Sequence, residues 1–184
     1  MKKIVITVSG PPGSGKSTHA KRIAEKLNLR YFSIGRYFRD IANKMNLSLE
    51  EFQKIAEKDP KYDLEADNRT LMEAERGGVV IDGHLTGWIA KEKADIKIYL
   101  TASLEERARR VAKRDGKPFE QAINDIRRRE ESNALRYKTF YGIDLNDLSI
   151  YDIVINTEKW GEEEVSQTLI YLIQKYMEKR NTFN

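Results

Sequence analysis

A glycine-rich segment near the start of the chain constrains the fold more than any other feature. Residues 10–18 match the phosphate-binding loop pattern G-x-x-x-x-G-K-[ST] at every defined position. The pattern requires a strand before it and a helix after it. Both are expected, because residues 4–8 are apolar and β-branched and residues 17–27 carry apolar side chains at helical spacing. The segment reads Gly10, Pro11, Pro12, Gly13, Ser14, Gly15, Lys16, Ser17 and Thr18.

The chemistry of this loop follows from its residue types. Gly10, Gly13 and Gly15 let the backbone turn tightly with its N–H groups inward, which forms an anion-binding concavity continued by the helix N-terminus. Lys16 is then expected to reach the β- and γ-phosphates of a triphosphate, and the Ser17 hydroxyl to ligate magnesium. An ordinary glycine-rich turn between a strand and a helix is the alternative.

Composition narrows the class of protein. A chain of 184 residues with 40% hydrophobic and 34% charged residues suits one globular domain. Cysteine is absent, which excludes disulfides and thiolate zinc sites. No secretory leader pattern and no apolar run of ~20 residues occurs, so we expect a cytoplasmic protein with no membrane partner. The formal charge of +4 is too mild to indicate nucleic acid binding, and we expect a monomer acting on small molecules.

Short apolar runs alternate with helical patterns along the chain. This alternation predicts an α/β protein with three layers, in which a five-stranded parallel sheet is flanked by helices. Ligands of such sheets bind at the carboxyl ends of the strands. The predicted strands are residues 4–8, 31–34, 79–81, 96–100 and 153–155.

Two stretches hold consecutive helices with no strand between them, and we expect small lobes there. Ser48 and Glu51 form a capping-box pattern at the start of one such helix. A further helix over residues 64–76 should stop at Gly77 and Gly78, and another is predicted over residues 119–137. The lobes lie above the sheet edge that carries the loop, so they can close over a ligand.

Two charged residues follow strands at the same predicted edge. Arg39 stands one turn into the helix after the second strand, where it can hold an acceptor phosphate. Asp82 ends the third strand, where an acid commonly holds magnesium through water in proteins with this loop. The alternatives are a solvated helix arginine and an Asp-Gly turn without a ligand.

A run of arginines marks the helix after the second break. Arg129, Asn133 and Arg136 are separated by four and three positions, so their side chains share one helix face. Two guanidinium groups suit phosphate, and an amide between them suits a hydroxyl or a base edge. Surface charge pairing is the alternative.

A second arginine stripe, Arg107, Arg110 and Arg114, precedes the Asp115-Gly116 break. These side chains could close over the donor phosphates as a lid hinged at the glycine. An exposed basic helix face explains them equally well. Neither His19 nor His84 has a partner that indicates general base catalysis, and His19 stays unassigned.

With these residues in place, the chain resembles the nucleoside monophosphate kinase family, and within it the archaeal cytidylate kinases. Besides the loop, the resemblance lies in residues 33–39, 79–88, 100–110 and 129–136. It implies a single P-loop kinase domain over residues 1–184, with a nucleoside monophosphate (NMP) lobe at about 34–76 and a lid at about 103–137. It also implies Mg²⁺-dependent phosphoryl transfer from ATP to CMP or dCMP, which gives ADP and CDP or dCDP.

The resemblance also implies roles for individual residues. Lys16 and Arg129 would be catalytic, with Arg129 between the acceptor and donor phosphates. Asn133 would contact the acceptor ribose. The loop together with Arg107 and Arg110 would bind ATP, and Ser17 and Asp82 would hold the metal. The acceptor site would comprise Ser33, Gly35, Arg39, Gly83, Asn133 and Arg136.

The sequence departs from the bacterial cytidylate kinase pattern where the base should be recognised. His84 and Leu85 stand where that pattern has Arg-Asp, and Leu85 cannot bind an amino group. We therefore hypothesise that Asp63, Asp67 and Arg69 in the first lobe recognise cytosine.

Two other readings stay open. One is a kinase of a different acceptor, such as adenylate or shikimate. The other is a nucleotide-dependent switch or binding module, although the Asp-x-x-Gly and Asn-Lys-x-Asp patterns of a GTPase switch are absent from the sequence.

Overall fold

One parallel sheet forms the centre of the protein. The computed structural model describes residues 3–182, and its sheet has five strands in the order β2-β3-β1-β4-β5, with every pair parallel. This is the sheet that the alternation of patterns predicts. The strands are β1 Val5–Ser9, β2 Arg30–Ser33, β3 Val79–Asp82, β4 Ile96–Thr101 and β5 Ile153–Asn156.

Helices cover both faces of the sheet. α1 and α8 lie on one face, where Ile23 and Leu169 pack on Ile6 and Ile98 of the central strands. On the other face, Ala74 and Ala90 pack against β1 and β3. The helices are α1 Lys16–Lys26, α2 Ile34–Lys44, α3 Leu49–Ala56, α4 Lys61–Arg76, α5 Thr86–Ile89, α6 Leu104–Asp115, α7 Phe119–Tyr141 and α8 Glu162–Thr182.

The two helical stretches each have a small apolar core of their own. Phe38, Phe52 and Ala66 form one cluster among α2, α3 and α4, and Val111 and Ile126 join α6 to α7 in another. These clusters lie inside the ranges predicted for the NMP lobe and the lid. The movement of either range as a lobe stays a prediction.

Local signals in the sequence place most helix ends. The Ser48–Glu51 capping box forms at the start of α3, and the Ser103 side chain caps α6. α4 ends at Gly77, which adopts a positive φ of 66°. Within residues 3–182, no helix is long and apolar enough to cross a membrane.

The strands differ from the sequence prediction by one residue at their ends, and three helices differ further. α4 begins at Lys61 because Asp59 accepts a hydrogen bond from the Lys61 N–H at 3.0 Å, so the polar segment after Pro60 is helical. α7 continues to Tyr141 and stops at Gly142. The short helix α5 is missing from the prediction because four residues are too few to show a period.

Phe52 holds the core of the first lobe together. It is fully buried, and its ring lies edge-on to Phe38 at 5.6 Å and to Tyr62 at 4.9 Å between centroids. Phe52→Ala should therefore lower the free energy of unfolding by about 3–4 kcal/mol in urea titrations. Ile55→Ala, at an exposed position of the same helix, should cost less than about 1 kcal/mol. Equal losses would contradict the assignment of Phe52 to the lobe core.

Candidate active site

The glycine-rich loop is held tightly by its neighbours. A Cβ atom at Gly10 would lie 2.2 Å from the Leu100 carbonyl oxygen, and one at Gly13 would lie 2.7 Å from the Arg107 carbonyl oxygen. Both glycines also have positive φ, at 148° and 81°. Only glycine fits at these two positions of the loop. The loop then leads directly into the N-terminus of α1, where backbone N–H groups can bind an anion.

Lys16, the first residue of α1, bonds to the loop backbone. Its Nζ donates to the Pro11 carbonyl oxygen at 3.3 Å. Burial lowers the pKa of Lys16 to about 8, against the opposing effect of Asp82. A phosphate group placed here would favour the charged form of the lysine, so the position suits an anion.

Asp82, at the end of β3, accepts three side-chain hydrogen bonds on one oxygen. The donors to its Oδ2 are the hydroxyls of Ser17 at 2.6 Å, Tyr31 at 2.8 Å and Ser33 at 3.1 Å. Its Oδ1 is buried and accepts no hydrogen bond from residues 3–182.

This carboxylate and the adjacent hydroxyl fit magnesium. Hard oxygen donors are the ligands that Mg²⁺ takes from proteins, and it keeps most of its water shell. Ser17 and the free Oδ1 of Asp82 provide such donors beside the loop. Among residues 3–182 there is no group of three or more His, Cys, Asp or Glu side chains that could hold a metal ion by themselves.

A cleft of about 940 Å³ opens from the loop between the first lobe and helices α6 and α7. Lys16, Arg39, Arg114, Arg128 and Arg129 line it. Arg39 is exposed there. The structure thus brings Lys16, Arg39 and Arg129 to one space. Ser33, Gly35, Asp82 and Gly83 also line this space.

Arg129 lies in the cleft with other cations close by. Burial lowers its pKa, and the charges of Arg114 and Arg39 lower it further. Its Nε is buried and donates to no atom of the described residues. A desolvated guanidinium with a free donor among like charges suits an anion, and the role of Arg129 stays a prediction.

Ser33 has a structural task that the sequence did not reveal. Its hydroxyl accepts from the Arg36 N–H at 3.3 Å and thereby caps α2, while it donates to Asp82. One side chain therefore links the start of α2 to the proposed metal carboxylate.

Arg107 supports the loop from outside. Its Nη1 donates to the Pro12 carbonyl oxygen at 3.0 Å and to Glu130 at 2.6 Å, and its Nε donates to the Ala102 carbonyl oxygen. Arg107 is thus already hydrogen-bonded within the protein, although it is one of the residues expected to bind the donor phosphates. Direct contact of Arg107 with ATP stays a prediction.

A second cleft of about 650 Å³ lies on the other side of the loop. Arg110 lines it and donates to the Thr157 hydroxyl at 2.8 Å and to the Thr157 carbonyl oxygen at 3.0 Å. Trp160 and His19 also line this cleft. Sequence reasoning missed Trp160, which is 64% exposed after β5; an isolated aromatic in a polar loop was the signal.

Four residues assigned to the acceptor lie outside the wall of the first cleft. Arg136 donates to both carboxylate oxygens of Asp63, at 2.6 and 2.7 Å, and to the Asn133 side-chain oxygen at 2.7 Å. All three side chains are buried. Burial raises the pKa of Asp63, and the adjacent guanidinium opposes that rise. The fourth residue is Asp67, which accepts a hydrogen bond from the Tyr141 hydroxyl.

These contacts leave the acceptor roles of Asp63, Asp67, Asn133 and Arg136 as predictions. In the structure the four residues join α4 to α7. To bind a phosphate with its paired Nη groups, Arg136 would have to exchange its present bonds for bonds to the substrate, whereas its buried Nε has no partner among residues 3–182.

His84 lines the first cleft, whereas Leu85 is buried. Burial holds the pKa of His84 well below its usual value, and the charges of Lys16, Arg129 and Arg136 lower it further. His84 therefore presents a neutral imidazole, which is also hydrogen-bonded to the Gly10 backbone.

The sequence matches the family model described as the cytidylate kinase-like family over residues 5–159. That range contains the loop, both helical stretches and all five strands. The chain belongs to the cytidylate kinase-like family. The resemblance stated from the sequence is confirmed.

Several archaeal proteins named cytidylate kinase are similar to this member of the family. The one from Staphylothermus marinus is 48% identical over 176 residues, which cover 96% of this chain and 99% of that protein. The one from Pyrococcus horikoshii is 52% identical over 163 residues, which cover 89% of this chain and 84% of that protein.

Solved structures share the fold of this cytidylate kinase-like chain. An uncharacterized protein from Eubacterium ventriosum has a TM-score of 0.70 at 20% identity, over 94% of this chain and 99% of that one. A shikimate kinase from Bacteroides thetaiotaomicron has a TM-score of 0.60 at 18% identity, over 95% and 98%. The three-layer P-loop kinase fold is thereby confirmed.

Asp67 should make stability depend on pH. Burial raises its pKa from 3.8 to about 6, so the folded protein binds a proton more tightly than the unfolded chain does. Stability is therefore lost as the pH rises through this range, by about 3 kcal/mol once the carboxylate is charged. Asp67→Asn, which avoids this cost, should raise the free energy of unfolding at pH 8 and much less at pH 4.

The matched control is Asp40→Asn, at an exposed position of α2. It should leave the pH profile of urea unfolding unchanged. An Asp67→Asn gain that is equal at both pH values would contradict the raised pKa.

Proposed function

We propose that the protein is a cytidylate kinase that transfers the γ-phosphoryl group of ATP to CMP or dCMP. The observation that carries this proposal is the convergence of Lys16, Arg39 and Arg129 on one cleft beside the phosphate-binding loop. A kinase of nucleoside monophosphates needs cations on both sides of the transferred group. About half of the residues are identical to those of proteins named cytidylate kinase, which supports CMP as the acceptor.

The donor half of the site is the loop. Its N–H groups and Lys16 would hold the β- and γ-phosphates, which accounts for glycine at positions that admit no Cβ. The second cleft then suits the ATP base, because Trp160 offers a ring for stacking and the Arg110 guanidinium a planar cation. Thr157 holds Arg110 in place for this role.

Arg39 and Arg129 make the acceptor half. Arg39 projects into the cleft from α2, whose first turn is tied to Asp82 through Ser33. An oxygen of the CMP phosphate attacks the γ-phosphorus, the bond to ADP breaks, and the electron pair leaves with the ADP oxygen. Arg129, between the two halves, would neutralise charge on the transferred group.

No protein base is required for this step. The acceptor phosphate is already an anion at neutral pH, so catalysis rests on positioning and on charge neutralisation. Closure of the two lobes would exclude water that could otherwise accept the phosphoryl group.

Ser17 and Asp82 would hold Mg²⁺, with Asp82 acting through a bound water. When bound, Mg²⁺ offsets the negative charge of the β- and γ-phosphate oxygens. The unpaired Oδ1 of Asp82 supports this role. A buried carboxylate oxygen is normally hydrogen-bonded, and a water bound to Mg²⁺ would donate the missing hydrogen bond.

His84 is the side chain that we propose for contact with the cytosine base. It is the polar member of the His84-Leu85 pair that stands where the bacterial pattern has Arg-Asp, it lines the cleft, and it presents a neutral imidazole. Asp63 and Asp67 can contribute only if Arg136 and Tyr141 release them. We also propose that the protein acts as a monomer and that no nucleic acid takes part, the latter because a formal charge of +4 is mild.

An acceptor panel tests the activity. ADP formation in a coupled assay should be fastest with CMP or dCMP and slower with UMP, AMP, GMP and shikimate. The Lys16→Ala variant serves as the control for contaminating kinases and should show no turnover. Turnover with none of the acceptors would refute the kinase, and a preference for AMP or shikimate would refute the cytidylate assignment alone.

Arg39→Ala should raise the KM for CMP by at least about tenfold, which corresponds to about 1.4 kcal/mol of lost phosphate binding. The KM for ATP should stay within about twofold, because the donor half does not include Arg39. Arg36→Ala, an exposed arginine one turn earlier on α2, should change neither constant. If Arg39→Ala weakened ATP and CMP equally, its assignment to the acceptor phosphate would be wrong.

A further inference from the structure

Tyr31 contacts the proposed metal carboxylate from behind the cleft. Its hydroxyl donates to Asp82 Oδ2 at 2.8 Å, yet its side chain is not part of the wall of either cleft. Neither the loop pattern nor the arginine spacing singled it out. A residue that reaches a metal-associated group without touching the ligand can act only through that group.

The strand register explains why Tyr31 can reach Asp82. Ser33 of β2 pairs with Asp82 of β3, and Tyr31 pairs with Val80. Tyr31 and Ser33 are two residues apart, so both side chains lie on the same sheet face as Asp82. The Tyr31 ring is partly buried and packs against the apolar cluster beneath α1.

The other two donors to Asp82 Oδ2 have second tasks. Ser17 also serves the proposed metal, and the Ser33 oxygen also accepts the capping N–H of Arg36. The Tyr31 hydroxyl is carried on a ring that packs against the apolar cluster beneath α1, so this packing restrains the donor. It therefore limits rotation of the carboxylate about its Cβ–Cγ bond.

We propose that Tyr31 is a positioning residue for the metal site, which holds Asp82 Oδ2 so that Oδ1 stays directed at the water shell of nucleotide-bound Mg²⁺. The inference rests on the proposed function, because it concerns the metal that accompanies the donor nucleotide. Tyr31 takes no part in the transfer itself and contacts neither nucleotide.

Tyr31→Phe tests this role, because phenylalanine keeps the ring and removes only the hydroxyl. Mn²⁺ binding to the full chain with a non-hydrolysable ATP analogue should weaken by about three- to tenfold, measured by electron paramagnetic resonance of free Mn²⁺. Binding of the analogue in EDTA should not change. Tyr171→Phe, at a residue that is 58% exposed on α8, is the matched control and should leave Mn²⁺ binding unchanged.

Kinetics give a second readout that a merely structural role would not produce. With Tyr31→Phe, the Mg²⁺ concentration for half-maximal rate should rise, whereas kcat at saturating Mg²⁺ and the KM for CMP should stay near wild type. A lower kcat at every Mg²⁺ concentration, together with unchanged Mn²⁺ binding, would overturn the proposal.

A double-mutant cycle protects the test against loss of stability. In an Asp82→Asn background, Tyr31→Phe should weaken Mn²⁺ binding no further, since the charged carboxylate that it positions is gone. Additive losses would overturn the inference. The Mn²⁺ measurements need only the donor nucleotide. If CMP failed as the acceptor, the proposed function would be refuted, but the Mn²⁺ measurements would still test the role of Tyr31.

Discussion

The close contact between the loop backbone and the protein around it is the constraint on which the rest of the site depends. The Leu100 carbonyl oxygen occupies the space beside Gly10, and the Arg107 backbone occupies the space beside Gly13. The loop can then turn its N–H groups toward a ligand only along this path. Arg107 completes the support, because it binds the Pro12 carbonyl oxygen and pairs with Glu130 on α7. Arg107 is itself part of α6, so its bonds to Pro12 and to Glu130 link the loop to both lid helices.

The arginines of the site fall into two groups by their partners. Arg39 and Arg129 face the open cleft, whereas Arg136 is 2% exposed and bound by the Asp63 carboxylate. A carboxylate offers the same paired oxygens that a phosphate offers. Asp63 thus occupies the side of Arg136 that an acceptor phosphate would need. Arg39 and Arg129 can therefore bind an anion in the observed conformation. Arg136 would first have to release the Asp63 carboxylate.

Most of the fold can be predicted from local sequence patterns, because each pattern depends on residues close in sequence. The loop, the buried strands and the Ser48–Glu51 capping box all form where the sequence indicates them. The spacing of Arg129 and Arg136 correctly places both on the same helix, two turns apart on α7. It cannot indicate which residues each side chain contacts. Asp63 lies 73 positions away from Arg136, and Tyr31 lies 51 positions away from Asp82. Such partners are set by the packing of strands and lobes, which no periodicity records.

The first cleft has a cationic region beside the loop and a neutral side chain at His84, and the two regions suit different parts of a nucleotide. Lys16, Arg39, Arg114 and Arg129 surround the space next to the loop, where each added phosphate lowers the mutual repulsion of these cations. Burial holds the pKa of the His84 imidazole low, and the nearby cations lower it further. A neutral imidazole beside a cationic region suits an uncharged base attached to a phosphate, because the phosphate gains most among the arginines and the base loses nothing beside the histidine. The resistance of His84 to protonation thus follows first from its burial in the wall of the cleft and then from the cations that the phosphoryl transfer requires.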